Sequence, residues 1–399
     1  MKPHPERAWR SVQVLISLVF ISLWLVQGCG GSGGVDSGGT GAAPPTLAVG
    51  PISGYGSIVV AGVHYDETSA RIVDGDDQLL PASALTLGSM TSIDASAVAS
   101  VGTQLQAKAQ TIRVAEILIG PVEAVDSVAQ TLRVLGQPVT VTAGTVFDSS
   151  LVGSLSAVRV GTVLAVHGQI DTAGARNVAT RIEPRANAAR YVVRAPLSSY
   201  DRAAKRLSLG SLNVNLADIT TLPDTLANGA IVRLKLRTTA VLGTWTATEL
   251  RQDNQPVPDR DNVEIEGRIS AFTSAQRFSV DGSAVDATSA TVSGGTPALG
   301  VRVEVEGRSS AGMIVARRVV VDAQEGGGAQ AIELEGRIAL HDPALKTFVV
   351  RGITVSYAGT PAYVVGSAAD IRNDRMVNVK GKLAADRSRV DATVIHLEL

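Results

Sequence analysis

Alternation of apolar and polar side chains with period two, restarted at intervals of about seventy residues, most narrows the folds open to this chain. It is plainest in Val301-Arg302-Val303-Glu304-Val305-Glu306-Gly307. It recurs in Val263-Glu264-Ile265-Glu266-Gly267-Arg268-Ile269 and in Ile332-Glu333-Leu334-Glu335-Gly336-Arg337-Ile338. Two looser versions are Leu164-Ala165-Val166-His167-Gly168 and Val377-Asn378-Val379-Lys380-Gly381. Successive side chains of a strand point to opposite faces, so each stretch reads as a strand with one face inward. No comparable stretch carries a helical period. The chain reads as all-β.

The strands return in a fixed order, which marks an internal repeat. Each repeat opens on a phrase such as Gly50-Pro51-Ile52-Ser53, Gly120-Pro121-Val122-Glu123, Gly267-Arg268-Ile269-Ser270 or Gly336-Arg337-Ile338-Ala339. A hairpin follows, as in Arg277-Phe278-Ser279-Val280-Asp281-Gly282-Ser283-Ala284-Val285. An Ala-containing strand closes the repeat: Ala179-Thr180-Arg181-Ile182, Ala247-Thr248-Glu249-Leu250, Ala316-Arg317-Arg318-Val319 or Ala392-Thr393-Val394-Ile395. Five modules are expected, at 50–119, 120-186, 187–255, 256–326 and 327–399. Module three is the most diverged, with Arg194-Ala195-Pro196-Leu197 at its opening.

Five or six strands in some 65 residues leave two raw edges if the sheet stays open, and closure into a barrel removes them. Small barrels resembling the oligonucleotide/oligosaccharide-binding (OB) fold are the first expectation. A string of β-sandwiches is second and a β-solenoid third. The Gly of each Val-x-Val-x-Gly segment suits a strand that bends sharply. Short helical turns are expected near 150–157. Modules stacked end to end, each needing only local contacts, would give an extended binding surface.

The first 28 residues read differently. Lys2, Arg7 and Arg10 precede an apolar run at 12–26, too short to span a bilayer and typical of a signal peptide. Leu25-Val26-Gln27-Gly28-Cys29 resembles the lipobox of bacterial lipoproteins, which implies lipidation of Cys29, the chain's one Cys. Residues 29–49 form a Gly-rich linker; about twenty such residues span roughly 25 Å. By the same resemblance, Gly30 after the modified Cys implies the outer membrane, facing the periplasm. A secreted or soluble periplasmic form is the alternative.

The repeats, the opening Gly-Pro-Ile-Ser-Gly-Tyr-Gly-Ser at 50–57, the Gly-rich leader and the closing Ala-Thr-Arg-Ile are similar to the bacterial family called domain of unknown function 5666. The resemblance is expected over essentially the whole chain beyond the leader, strongest in modules one and two. It implies tandem β-domains, often on lipoproteins, and brings no catalytic residues.

Little chemistry is visible. The formal charge of −1 offers no excess of cations for nucleic acid. Gly34-Val35-Asp36-Ser37-Gly38-Gly39 superficially resembles a serine-protease motif, but a flexible linker cannot preorganise an oxyanion hole. His64, His167, His341 and His396 lack metal-ligand spacing, so no metal or other cofactor is expected. His64, beside Asp66 and Glu67, reads as part of a polar strand face. Asp74-Gly75-Asp76-Asp77 and Asp281-Gly282 read as tight turns rather than calcium loops. Sparse aromatics offer few stacking platforms for sugars. The Gly-Arg pairs 267–268 and 336–337 either face an anionic partner or mark a solvated face. The expectation is therefore a non-enzymatic binding or scaffolding protein, anchored to a membrane, with an envelope protein or glycan as partner. The alternatives are a carbohydrate or cell-wall binding protein, or an enzyme with carboxylates in a crevice between modules.

Overall fold

The computed structural model describes residues 46–102, 104–151, 154–253, 257–322 and 331–398; Cys29 and the leader lie outside them. Module two shows how the pattern becomes a barrel. Its strands are Leu118–Asp126, Thr131–Val134, Gln137–Phe147, Val163–Asp171 and Arg176–Pro184. The first pairs antiparallel with the second and the fourth, the second with the third, and the fourth with the fifth. The third runs parallel to the fifth. The ring 1-2-3-5-4-1 is complete, and this is the strand order of an OB barrel. Leu132 and Val134 point into it while Arg133 points out, as a period of two requires.

Module four repeats the ring with Arg260–Ser274, Arg277–Val280, Ser283–Asp286, Arg302–Ser310 and Met313–Asp322. Module five does so with Ala331–Asp342, Thr347–Val350, Ile353–Ser356, Met376–Leu383 and Val390–Leu397. In modules one and three the first strand is broken in two. The pieces are Thr46–Pro51 with Gly54–Tyr55, and Tyr191–Pro196 with Ser199–Asp201. Each first piece pairs with the fourth strand and each second piece with the second, so the same order holds. The opening strand of module one starts at Thr46, inside the stretch read as linker, because Leu47 and Val49 alternate with Ala48 and the strand is flanked on both sides.

The glycine of the repeated segment has one job in the fourth strand. Pairing there slips by one residue at Gly168, Gly307 and Gly381, three equivalent bulges. A Cβ on Gly307 would stand 2.3 Å from the Val315 carbonyl oxygen, closer than any side chain can approach. Three-residue 3-10 turns occupy the passage between third and fourth strands in modules one, two and five. In module two they are Ser149–Leu151 and Leu155–Ala157, where short turns were expected.

The modules are not stacked end to end. Thr46–Pro51 of module one lies parallel to Arg260–Ser274 of module four, with Ala48 opposite Glu264. Gly54–Tyr55 lies parallel to Ala331–Asp342 of module five. Modules two and three join through Val192 and Val193 against Ile119 and Leu118. First strands therefore serve as seams between barrels. The apolar cores follow suit: one cluster joins modules one and five, a second joins two and three, and the third fills module four with Leu47 of module one added. Independence of the five modules is the expectation that fails. An opening strand split in two leaves backbone groups that a neighbour's first strand can satisfy.

Candidate functional site

The turn Asp74-Gly75-Asp76-Asp77 of module one is where several modules meet. Asp74 Oδ1 accepts from the backbone N–H groups of Asp76 at 2.8 Å and Gln78 at 2.9 Å, which fixes the turn. Asp76 then projects onto the outer face of module three. Its carboxylate meets Lys235 Nζ at 2.9 Å, Arg251 Nη2 at 2.9 Å and Arg233 Nη1 at 3.3 Å. Arg233 lies so close to the turn that a Cβ on Gly75 would be 2.8 Å from Nη2. The turn read from sequence is present, and its carboxylate is engaged by cations 157 or more positions away.

Module two contributes a second cluster. Glu116, just before its first strand, is buried and accepts from Arg185 Nη2 at 2.8 Å. Arg185 also reaches Glu183 at 2.8 Å, and Glu183 accepts from Arg181 Nε at 2.9 Å. Burial alone would raise the Glu183 carboxyl, but Arg181 and Arg185 outweigh it and hold the group below its ordinary range. Arg181 continues to Asp148 at 3.3 Å and to the Leu87 carbonyl of module one. His167 is 2 % exposed and faces the Ala115 carbonyl across 3.3 Å. Burial pulls its pKa down against the opposing pull of Glu116 and Glu183.

Module three is tied to module four by Arg194, which pairs with Asp253 of its own module and Asp281 of the next. Burial disfavours its charge, yet the two carboxylates prevail and push its pKa up.

Between these pins lie two cavities of about 700 and about 580 Å³. Both are lined by Gly75, Glu116 and Arg233, so they form adjoining halves of one cleft among modules. Met90, Ile117 and Leu250 give the larger half an apolar floor. Arg190 and Lys235 reach the smaller half. Among the described residues neither half is lined by Phe, Tyr or Trp, so recognition there rests on hydrogen bonds and charge rather than ring stacking.

The histidines read from sequence are scattered. His396 is exposed on its strand, and His341 Nε2 lies 2.8 Å from the Tyr357 hydroxyl. His64 departs from a solvated face: it is 6 % exposed because module five covers it. Ser57 Oγ lies 3.3 Å from His64 Nδ1, and His64 Nε2 lies 3.6 Å from Glu333 Oε2 of module five. Asn378 donates to Glu333 at 2.8 Å and Lys380 lies 3.3 Å away, so its carboxyl is lowered to about 2 despite burial. The order hydroxyl, imidazole, carboxylate matches a hydrolytic triad. However, the imidazole is closed over by the seam, and Ser57 lines neither cavity. Its evident work is to join two modules. Glu333 is too distant in sequence for any local motif to reveal it.

Three segments of the chain match one family model, described as Domain of unknown function (DUF5666): residues 119–183, 266–320 and 335–396. The chain thus carries this domain three times, in modules two, four and five. No curated protein matches the chain. Module one, expected to show the resemblance most strongly beside module two, lies outside the matched segments, as does module three. The matched modules are those with an unbroken first strand; the unmatched two have it split, which changes the spacing at the opening of the repeat.

Proposed function

We propose that this is a lipid-anchored envelope protein, held through Cys29 at the outer membrane on the periplasmic side, whose clustered barrels bind a polar ligand or partner. The cleft around Gly75, Glu116 and Arg233 carries the binding half of this reading. Several modules wall it, and salt bridges fix its shape, so a ligand meets preorganised donors and acceptors. A binder is favoured over an enzyme because the carboxylates lining the larger half are committed. Asp253 and Asp281 are held by Arg194, Asp77 by Arg113 and Glu116 by Arg185. A general acid or base must be free to exchange its proton with a substrate, and a carboxylate already bound to a guanidinium is engaged elsewhere. Glycans and cell-wall fragments suit such a lining through hydroxyl and carboxylate groups.

The leader-free protein, screened against glycans and cell-wall fragments, is expected to bind saturably. Thr225→Trp, an exposed substitution on the rim of the larger half, should abolish that binding without unfolding the protein. Binding that survives Thr225→Trp, or no binding to any fragment, rejects the cleft as the site. For the anchor, Cys29→Ser should move the protein from the membrane fraction to the soluble one. Retention in the membrane fraction rejects lipidation at Cys29.

A further inference from the structure

Arg268 and Arg337 occupy the same position of two repeats, each after the bending glycine of a first strand. Both donate Nη1 to a backbone carbonyl at 2.7 Å, Gly300 for Arg268 and Asp374 for Arg337. Their surroundings differ. Arg337 stands exposed in water, whereas the turn of module two after Ile170 is laid over Arg268. That turn is fastened to module four by Thr172 Oγ1, which donates to the Ser270 carbonyl at 2.7 Å. Gly300 fits against it so closely that a Cβ there would lie 2.8 Å from Asp171 Oδ1.

The result is a cavity of about 180 Å³ with three guanidinium groups in its wall, Arg176, Arg268 and Arg302. Two of them are paired. Arg176 Nε donates to Asp171 at 2.9 Å, and Arg302 is bound to Glu266 and reaches Asp322 at 3.4 Å. Asp171 is further engaged by the Gly174 N–H at 3.0 Å. Arg268 alone of the three forms no salt bridge, and its Nε is buried with no hydrogen-bond partner among the described residues. Burial, together with the positive charges of Arg302 and Arg176, lowers its pKa in spite of Asp171 and Asp322. A half-buried guanidinium with no ion pair of its own is costly, and its fork matches an oxyanion.

We infer that the cavity between modules two and four is an oxyanion site, with Arg268 as the group that binds a phosphate or carboxylate of a ligand. This site is separate from the central cleft, and its test does not depend on the reading of that cleft. The volume accommodates one such group with part of the molecule carrying it, and the guanidinium groups of the wall supply the hydrogen bonds and charge to hold it.

The experiment is calorimetric titration of the leader-free protein with inorganic phosphate and, separately, with glucuronate, at fixed ionic strength. Saturable binding of one or both is expected, weakened about tenfold or more by Arg268→Gln and less by Arg268→Lys, which keeps the charge but loses the fork. Arg337→Gln, at the equivalent open position, should leave binding unchanged. Circular dichroism and thermal melting establish that each variant is folded. Binding of phosphate alone or of glucuronate alone identifies the class of ligand. Absence of saturable binding to either, or equal binding by Arg268→Gln, overturns the site.

Discussion

Arg194 Nη1 lies 3.1 Å from Asp281 Oδ1, and Nη2 of the same guanidinium donates to the Asp281 backbone carbonyl at 3.0 Å. The two residues are 87 positions apart and belong to different barrels. Arg194 begins the Arg194-Ala195-Pro196-Leu197 phrase that opens module three, and Asp281 sits in the hairpin turn of module four. The divergence of module three therefore has a structural consequence: it supplies the cation that fastens one barrel to the next.

Removing that cation leaves Asp253 and Asp281 facing each other across a half-closed junction. Arg194→Met is expected to destabilise the protein by about 3 kcal/mol, in the range found when one partner of a buried pair is deleted. Asp281→Asn in the same background should cost much less than it does alone, since the pair is already broken. Urea denaturation of the four proteins in the cycle measures the coupling. Additive losses would mean that the contact contributes nothing.

The bulge glycines give a second prediction. At Gly307 a methyl group would collide with the Val315 carbonyl, a backbone atom that cannot rotate away. Gly307→Ala should cost on the order of 1–3 kcal/mol, although alanine is ordinarily the better strand residue of the two. Gly62, on a turn with nothing within 4 Å of its Cβ position, is a contrasting site. Its φ of +76° makes alanine strained without any collision, so Gly62→Ala should cost about 1 kcal/mol. Equal melting points for Gly307→Ala and the parent protein would show that the fourth strand does not need its bulge.

These two cases also mark what the sequence could reveal. Period two is local, so the strands, the closed rings and the bending glycines were legible from segments such as Val301 to Gly307. Split first strands were not, since Ile52-Ser53 and Leu197-Ser198 look like ordinary strand residues until a neighbouring barrel is in place. Packing between modules was equally hidden. Arg268 and Arg337 are the same residue in the same repeat position, and only the arrival of module two separates their environments. The central cleft rests on Asp76 meeting Arg233 and Arg251, a pairing between modules that no spacing rule encodes.

The seam between modules one and four is expected to weaken as the pH rises from about 4.5 to about 8. Glu264 is 8 % exposed, and its carboxylate forms no salt bridge or hydrogen bond among the described residues. Burial, then Glu306 and Glu304 beside it, raises its pKa to about 8, with Arg318 and Arg317 opposing. Across the seam Tyr65 is fully buried, its hydroxyl lacks a partner among the described residues, and burial raises its pKa as well. An acid whose pKa is higher folded than unfolded binds more protons in the folded state, so stability falls as pH rises. The fall should run from about pH 4.5 to about pH 8 and then level off, as far as this group is concerned. Glu264→Gln removes the ionisation, and should stabilise the protein at pH 9 by on the order of 1–3 kcal/mol with little effect at pH 5. Parallel urea curves for the two proteins at both pH values would reject a buried, protonated Glu264.

The seam between modules one and five carries the opposite sign. Glu333 is held ionised by His64, Asn378 and Lys380, and its pKa is lowered to about 2 from an ordinary 4.5, although burial by itself would raise it. A carboxyl with a depressed folded pKa gives up protons more readily in the folded state, so it contributes stability above about pH 4.5. That contribution is lost progressively as pH falls from there to about 2. Glu333→Gln keeps an acceptor for Asn378 but cannot carry the charge. It should be less stable than the parent at pH 7 by about 1–2 kcal/mol, and the difference should vanish near pH 2. Denaturation of both proteins between pH 2 and 7 measures that convergence, and a difference independent of pH would assign the loss to packing at the seam rather than to the ionised carboxylate.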